Sequence, residues 1–454
     1  MSALKQYIHL YREHKALFDS GSAPVINAWR DDALKTLLNT ALPQKGSENY
    51  EHFSLADALA PDYGLNPARV PIDVDPAASF RCDVPNLSTA LFINLNDRMA
   101  KSQLTDRSLP EGVVAGSLRE CALSHPELVD TYYNRLADPA NPLVSLNTML
   151  VQDGLFIYVP DGVRLEKPLQ LVNILSNGAP LMAVRRLLIV LGKGAEARLL
   201  VCDHTQRPDV DFLALQTVEI FAGEGSTLDL YDLEESTQST TRLSTLYLKQ
   251  EAGSNVLLDG MTLFNGSTRN EYHCVFTAPD ASLRLLGMAI ADSSRRVDNF
   301  SLIRHDAPSC HSDELFKYVL DDSATGAFCG RIYVAPGSSK TEAYQSNRNI
   351  VGSADARMFT KPQLEIYNDD VKCSHGSAIG RLDEMQLFYM RTRGLSEPTA
   401  KLLLKQAFMS DVIDGVRLES LRDRLHHLVE RRFSGESASC ASCAAATACA
   451  VNNC

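Results

Sequence analysis

From about residue 150 the chain holds one rhythm for roughly 200 residues: a short apolar extended run, a turn, then another extended run. "DGLFIYVPDGVRLEKPLQLVNIL" puts Leu155, Ile157 and Val159 on one side of a strand, and "PDG" supplies the turn before the next run. The pattern returns in "RRLLIVLGKGAEARLLVCDHT", "VEIFAGEGSTLDLYDL", "SNVLLDGMTLFNGS", "ASLRLLGMAIADSS" and "GAFCGRIYVAPGSS". Long helical spacing is missing throughout, which argues against repeated strand–helix–strand units. A barrel, a sandwich and a stack of parallel coils remain. Loosely regular spacing suits the coils, which fill their interior with successive apolar side chains and need caps only at their ends. The lack of a fixed turn motif keeps the sandwich open.

Helical patterns flank this segment. Helices are expected over Leu4–Phe18 and Val25–Thr40, before a stretch punctuated by proline, glycine and asparagine, and again over Ser117–Leu136. After residue 380, Asp383 is placed to cap "EMQLFYMRTR", with Gln386 three residues on, Leu382 and Leu387 as a hydrophobic staple and Gly394 as its stop. Ser396 caps "EPTAKLLLKQAFMSDVIDGV", with Leu403, Ala407 and Phe408 on its inward side, and Leu418, Leu421, Leu425 and Leu428 trace a third stripe. The expected units are 1–147, helical or mixed; 148–378, the β-rich core; 379–434, helical; and 435–454, a flexible cysteine-rich tail.

A chain of 454 residues can bury a substantial core without relying on disulfides. Its formal charge of -12, with no block of Lys or Arg, argues against nucleic acid or an acidic membrane surface as partner. Apolar runs such as "LLIVLG" are too short to span a bilayer, and "MSALKQYIHLYREHKALF" lacks the apolar core of an export signal. A cytoplasmic setting is expected, in which free thiols persist and a pair among the eleven cysteines suggests metal or sulfur chemistry more readily than a structural disulfide. "GKGAEA" and "APGSSKT" each lack the glycine pattern of a phosphate-binding loop. Neither a nucleophile elbow nor a His-Glu-x-x-His pair is present. The chain is therefore expected to be no enzyme, and any nucleotide hydrolysis behind its work falls to another chain.

"DDVKCSHGS" sets Cys373 and His375 two residues apart, on one face of a strand if the segment is extended. Thiolate and imidazole could meet on one soft ion, and the imidazole or Lys372 could favour the thiolate. Two ligands do not close a tetrahedral site. The spacing fits a packed or hydrogen-bonded pair, transient iron or sulfur handling, or stable zinc. "RHDAPSCHSDE" offers His305, Asp306, Cys310, His311 and Asp313, either as a solvated polar turn or as a borderline metal site. Cys329 in "GAFCG" reads as interior packing. Cys440, Cys443, Cys449 and Cys454 fit a flexible tail, a metal or sulfur site, or a disulfide-bonded tail.

The segment "KPQLEIYNDDVKCSHGSAIGRLDEMQLFYMRTRGLSEPTAKLLLKQAF" resembles the SufB/SufD family of iron-sulfur cluster assembly proteins, and its SufD branch in particular. A weaker likeness runs through the strand-rich centre and "LPQKGSENYEHFSL". The resemblance implies a mainly β fold: a right-handed parallel β-helix between an N-terminal helical or mixed domain and a C-terminal helical domain. It implies a noncatalytic subunit in a complex with SufB and the ATPase SufC, the C-terminal helices engaging SufC and the β-helix edges meeting SufB. The resemblance also leaves a SufD homodimer open as a state of the isolated chain. Met390 stands where SufB carries a cysteine linked to cluster construction; a thioether forms no thiolate or persulfide, which favours the SufD branch and a packing role for Met390. His375 falls on a family histidine implicated in cluster assembly, as iron ligand or local base, and Cys373 on its neighbouring cysteine, as a conditional sulfur or metal participant. Lys372 and Asp370 are expected to tune the local field or brace the strand. No cofactor is expected to stay bound in the isolated chain; iron or a cluster is expected transiently at the SufB interface.

Overall fold

Strands that follow one another in sequence from Gly154 onward go to opposite sheets, and every second strand pairs in parallel. The computed structural model describes residues 3–71, 89–100 and 109–435. One sheet has ten strands, from Arg98–Met99 at one end to Val371–Gly380 at the other; the second has nine, from Val114–Ser117 to Arg357–Ile366. Ser282 pairs with His311 and Arg296 with Thr325, so each coil uses about 30 residues. This is a two-sided parallel β-helix. Among the described residues the only antiparallel pairs lie at the amino end, where Ala90–Leu95 meets Arg98–Met99 and Val114–Ser117 meets Gly154–Val159.

The central strands are covered on both faces, which explains continuous apolar runs such as "LLIVL". Leu155, Ile157, Val159, Leu187 and Ile189 fill the space between the sheets. Leu188 and Val190 point the other way, against the amino-terminal helices on the outside of the nine-stranded sheet. Leu200, Leu257 and Leu286 on the ten-stranded sheet pack outward against Val412, Leu421 and Leu425 of the carboxy-terminal helices. A stack of coils thus has an inner core and a helical cover on each flat side.

One corner repeats in conformation although its residues change. Gly162, Gly194, Gly225, Gly253, Asp280, Ser309 and Lys340 all have positive φ. Each donates its backbone N–H to the residue just before its counterpart in the next coil, from Gly162 to the Lys193 carbonyl at 2.7 Å through to Lys340 and the Asp370 carbonyl at 2.6 Å. The left-handed backbone costs an L residue about 1–2 kcal/mol. Glycine removes that cost in the first four corners and not in the last three, which is why no turn motif repeats in the sequence.

The first amino-terminal helix, Ala3–Ser20, contains the expected Leu4–Phe18, whereas the two later spans are each divided. Val25–Thr40 is divided into Pro24–Asn27 and Arg30–Asn39. Arg30 is drawn inward there, donating to the Met149 and Val151 carbonyls at 2.6 Å each. The Ser117–Leu136 span becomes Leu118–Ser124 and Pro126–Tyr132, because Pro126 starts a new helix after the non-helical His125.

At the carboxy end, helices span Glu384–Thr392, Glu397–Ile413 and Glu419–Phe433. The caps act as read: Asp383 Oδ1 accepts from the Met385 and Gln386 N–H groups at 2.8 and 3.2 Å, Ser396 Oγ accepts from the Thr399 N–H at 3.3 Å, and Gly394 follows the first helix at φ +92°. Leu421, Leu425 and Leu428 are buried. The inward stripe of Glu397–Ile413 differs from expectation. Ala400, Met409, Val412 and Ile413 are buried and Phe408 is half-buried, whereas Leu403 and Ala407 face outward. Lys317 fixes this rotation by reaching out of the sheet to the Phe408 carbonyl at 2.7 Å and to the Asp411 carboxylate.

Candidate functional site

The last coil is uncapped. Val371–Gly380 pairs only with Thr341–Val351, and Arg357–Ile366 only with Thr325–Val334, so among the described residues both sheets end here in a free edge. An edge of this kind is a template for another chain. Of the eleven large apolar side chains exposed among the described residues, six lie on the last coil or on the helix after it: Ile366, Tyr367, Ile379, Met385, Phe388 and Tyr389. A cleft of about 500 Å³ opens beside Ile379, lined also by Met358, Phe359 and Arg381. The helix Glu384–Thr392 that follows the edge strand buries none of its residues. Exposed apolar side chains along an open edge mark an interaction site.

Cys373 and His375 both lie on this edge strand, opposite Ala343 and Gln345 of the neighbouring one. Two residues apart on a strand, they share a face. Cys373 is half-buried beside Ile332, Val334, Ala343 and Leu364, and burial raises its thiol above the ordinary value. His375 is exposed. Lys372 turns to the other face and braces the edge, its Nζ 2.9 Å from Glu342 Oε1, while the Asp370 carbonyl ends the corner ladder described above. The result is one soft sulfur and one imidazole on an open edge. Among the described residues no group of three or more His, Cys, Asp or Glu side chains could hold a metal ion.

Behind His375 runs a polar column that the sequence reading missed. Gln345, the partner of His375 in the ladder, is itself the neighbour of Glu314 one coil further in. Gln345 Nε2 donates to Glu314 Oε2 at 2.6 Å, and both residues are buried. Burial pushes the Glu314 carboxyl up to about 7. The available signal was "YQSNRN", where Gln345, Asn347 and Asn349 occupy alternate positions that point into the coil. Amides there are expensive unless partnered.

The second cluster does not converge. His305 is fully buried with Nε2 2.9 Å from Ser312 Oγ, and burial pushes its pKa down to about 3. Cys310 is buried and donates to the Ala278 and Pro308 carbonyls at 3.4 Å. His311 lies against Tyr344, Asp306 pairs with Arg304 and Asp313 with Arg284. The expected solvated turn is thus half interior, because stacking of the next coil covers His305 and Cys310. Cys329 is buried, as read, but beneath Asn49 of the amino-terminal region, and burial raises its thiol to about 11. Met390 is half-buried on its helix. Cys440, Cys443, Cys449 and Cys454 lie outside the described residues. No described helix is long and apolar enough to cross a membrane.

Two family models match, one after the other along the chain: the N-terminal region of SufBD proteins over residues 1–171, and the SufBD core domain of the SUF system of FeS cluster assembly over residues 174–408. The chain is 28% identical over 411 residues to an iron-sulfur cluster assembly SufBD family protein of Synechocystis, covering 89% of this chain and 90% of that one. It is 27% identical over 451 residues to the iron-sulfur cluster assembly protein SufD of Escherichia coli, covering 96% and 97%. The SufD of Bacillus subtilis is 24% identical over 361 residues, covering 77% and 80%.

Proposed function

The chain belongs to the SufBD family of iron-sulfur cluster assembly proteins, and from that membership we propose that it is a SufD-type scaffold subunit whose open β-helix edge completes a cluster-building surface with SufB. The observation that carries this reading is the uncapped coil: a thiol and an imidazole share one face of an unpaired edge, on a coil that also exposes Ile366, Tyr367 and Ile379. Two ligands are too few to hold an ion and suit a site shared between chains. In this reading His375 is an iron ligand or local base, and Cys373 takes part once a partner covers it. Iron and the growing cluster are cargo held transiently at that interface, with nothing kept by the subunit alone.

The subunit performs no catalysis of its own in this account. ATP hydrolysis belongs to SufC, which docks on the carboxy-terminal helices, where the outward-facing Leu403 and Ala407 line a groove with Ser410 and His426. The assembly works in the cytoplasm. Residues 1–147 and 379–434 act as flanking units, 148–378 as the working core, and 435–454 as a tail dispensable for assembly.

The test is anaerobic co-expression with SufB and SufC, comparing wild type with His375→Ala for complex recovery and for the cluster absorption spectrum. Full recovery of the complex with loss of the cluster spectrum is expected. An unchanged spectrum would remove His375 from the mechanism and leave a purely structural subunit.

A further inference from the structure

We propose that Gln345, anchored by Glu314, is the positioning residue for His375: its Oε1 accepts one imidazole N–H, leaving the other ring nitrogen free to face soft-metal cargo. This deepens the function proposed above and rests on it.

The argument starts from register. Gln345 and His375 are direct partners in a parallel ladder, so their side chains leave the sheet on the same side, one strand apart. Gln345 is 3% exposed and His375 is exposed, so the amide forms the floor and the imidazole the mouth.

Hydrogen bonding then singles Gln345 out. Three amides on its strand point into the coil. Asn347 and Asn349 satisfy each other, with Asn349 Nδ2 to Asn347 Oδ1 at 2.7 Å and further bonds to the Phe316 and Ala378 carbonyls. Gln345 spends its Nε2 on Glu314, and its Oε1 has no hydrogen-bond partner. A buried acceptor left unmade costs about 1–3 kcal/mol. Here it lies under the one exposed imidazole of the open edge.

The opposite sheet is shaped around this amide. A Cβ at Gly330 would stand 2.3 Å from Gln345 Nε2, so the glycine leaves the room that the side chain occupies. The orientation of Gln345 is therefore set from two sides, by Glu314 and by the space at Gly330. A histidine ligand whose second nitrogen donates to a fixed acceptor has a defined tautomer and greater basicity, and loss of such an acceptor costs 10- to 100-fold in metal affinity or activity.

The experiment uses the complex co-purified anaerobically with SufB and SufC, with His375→Ala as the reference variant. Gln345→Leu removes the acceptor; Gln345→Glu combined with Glu314→Gln exchanges the two side chains, which keeps an acceptor oxygen at position 345, an amide donor to hold it and the net charge of the pair. Complex recovery and thermal unfolding report the fold, and iron and acid-labile sulfide per complex report the site. Loss of about tenfold in cluster for Gln345→Leu, with recovery unchanged and with the exchanged pair near wild type, is the expected result. If Gln345→Leu does not enter the complex, Gln345→Met, of similar length and without a strong acceptor, takes its place. Wild-type cluster in Gln345→Leu while His375→Ala is empty would overturn the positioning role alone. Equal loss in Gln345→Leu and the exchanged pair would overturn it too, as a packing effect. Wild-type cluster in His375→Ala would overturn the underlying reading of the site instead.

Discussion

Arg186 and Glu219 meet at 2.7 Å on adjacent strands with neither side chain exposed to any degree. Glu219 also accepts from the backbone N–H groups of Asn134, Leu136 and Ala137 at 2.8–3.2 Å, so one carboxylate latches the amino-terminal unit to the outer face of the nine-stranded sheet. Glu219→Ala leaves Arg186 buried without a counter-charge and is expected to cost about 3–5 kcal/mol in urea unfolding. Arg186→Met combined with Glu219→Leu should recover only part of this, because three backbone donors stay unpartnered. Full recovery would show that the latch is only an ion pair.

Asp259 gives the pH dependence a sign. Both of its carboxylate oxygens are buried without a hydrogen-bond partner, and burial pushes its pKa from 3.8 up to about 8, with Arg284 opposing the rise. The folded chain keeps this proton and the unfolded chain releases it. Stability from this group is therefore complete below pH about 4 and is lost as pH rises towards 8. Asp259→Asn should be more stable than wild type by about 2–4 kcal/mol at pH 8, with the gap narrowing as pH falls towards 4. Parallel curves for the two proteins in urea titrations across that range would refute the assignment.

The corner ladder is tested at Gly225. Its φ is +65° and a Cβ there would meet nothing within 4 Å, so a side chain has room but the wrong backbone. Gly225→Ala should lose about 1–2 kcal/mol by backbone strain alone, whereas Lys340→Gly, at φ +57°, should cost nothing. Equal effects at the two sites in thermal unfolding would separate stability from φ.

The exposed helix Glu384–Thr392 separates association from folding. Met385, Phe388 and Tyr389 are 75, 64 and 59% exposed. Replacing all three by Ser should leave the stability of the isolated chain within about 1 kcal/mol and abolish co-purification with SufB. A folded variant that still binds SufB would place the contact elsewhere.

Local chemistry was legible in the sequence and stacking was not. The Asp383 and Ser396 caps work across three residues, and Leu155, Ile157 and Val159 share a face by the strand's own period. The coil repeat was hidden because Gly253, Asp280 and Ser309 adopt one conformation with three residue types. Leu403 was misplaced because Leu402, Leu403 and Leu404 are consecutive and fit two stripes; contacts from Lys317, a distant residue, select between them. His305 looked solvated because the coils covering it, including Phe276 at 4.6 Å, are set by the stack. At the candidate site, the shared face of Cys373 and His375 followed from spacing. The column behind it did not, since Gln345 and Glu314 meet only when two coils are laid in register.

Among the described residues the two ends of the β-helix are unlike. At the amino end the short Arg98–Met99 strand and the antiparallel Val114–Ser117 strand break the parallel order, while at the carboxy end both sheets stop at full-length edges. A stack with two matching open ends joins head to tail without limit and grows into a fibre. Among the described residues there is a single full-length open end, so two such ends, once joined, would leave no matching edge for a third copy, and Cys373 and His375 stand on that edge.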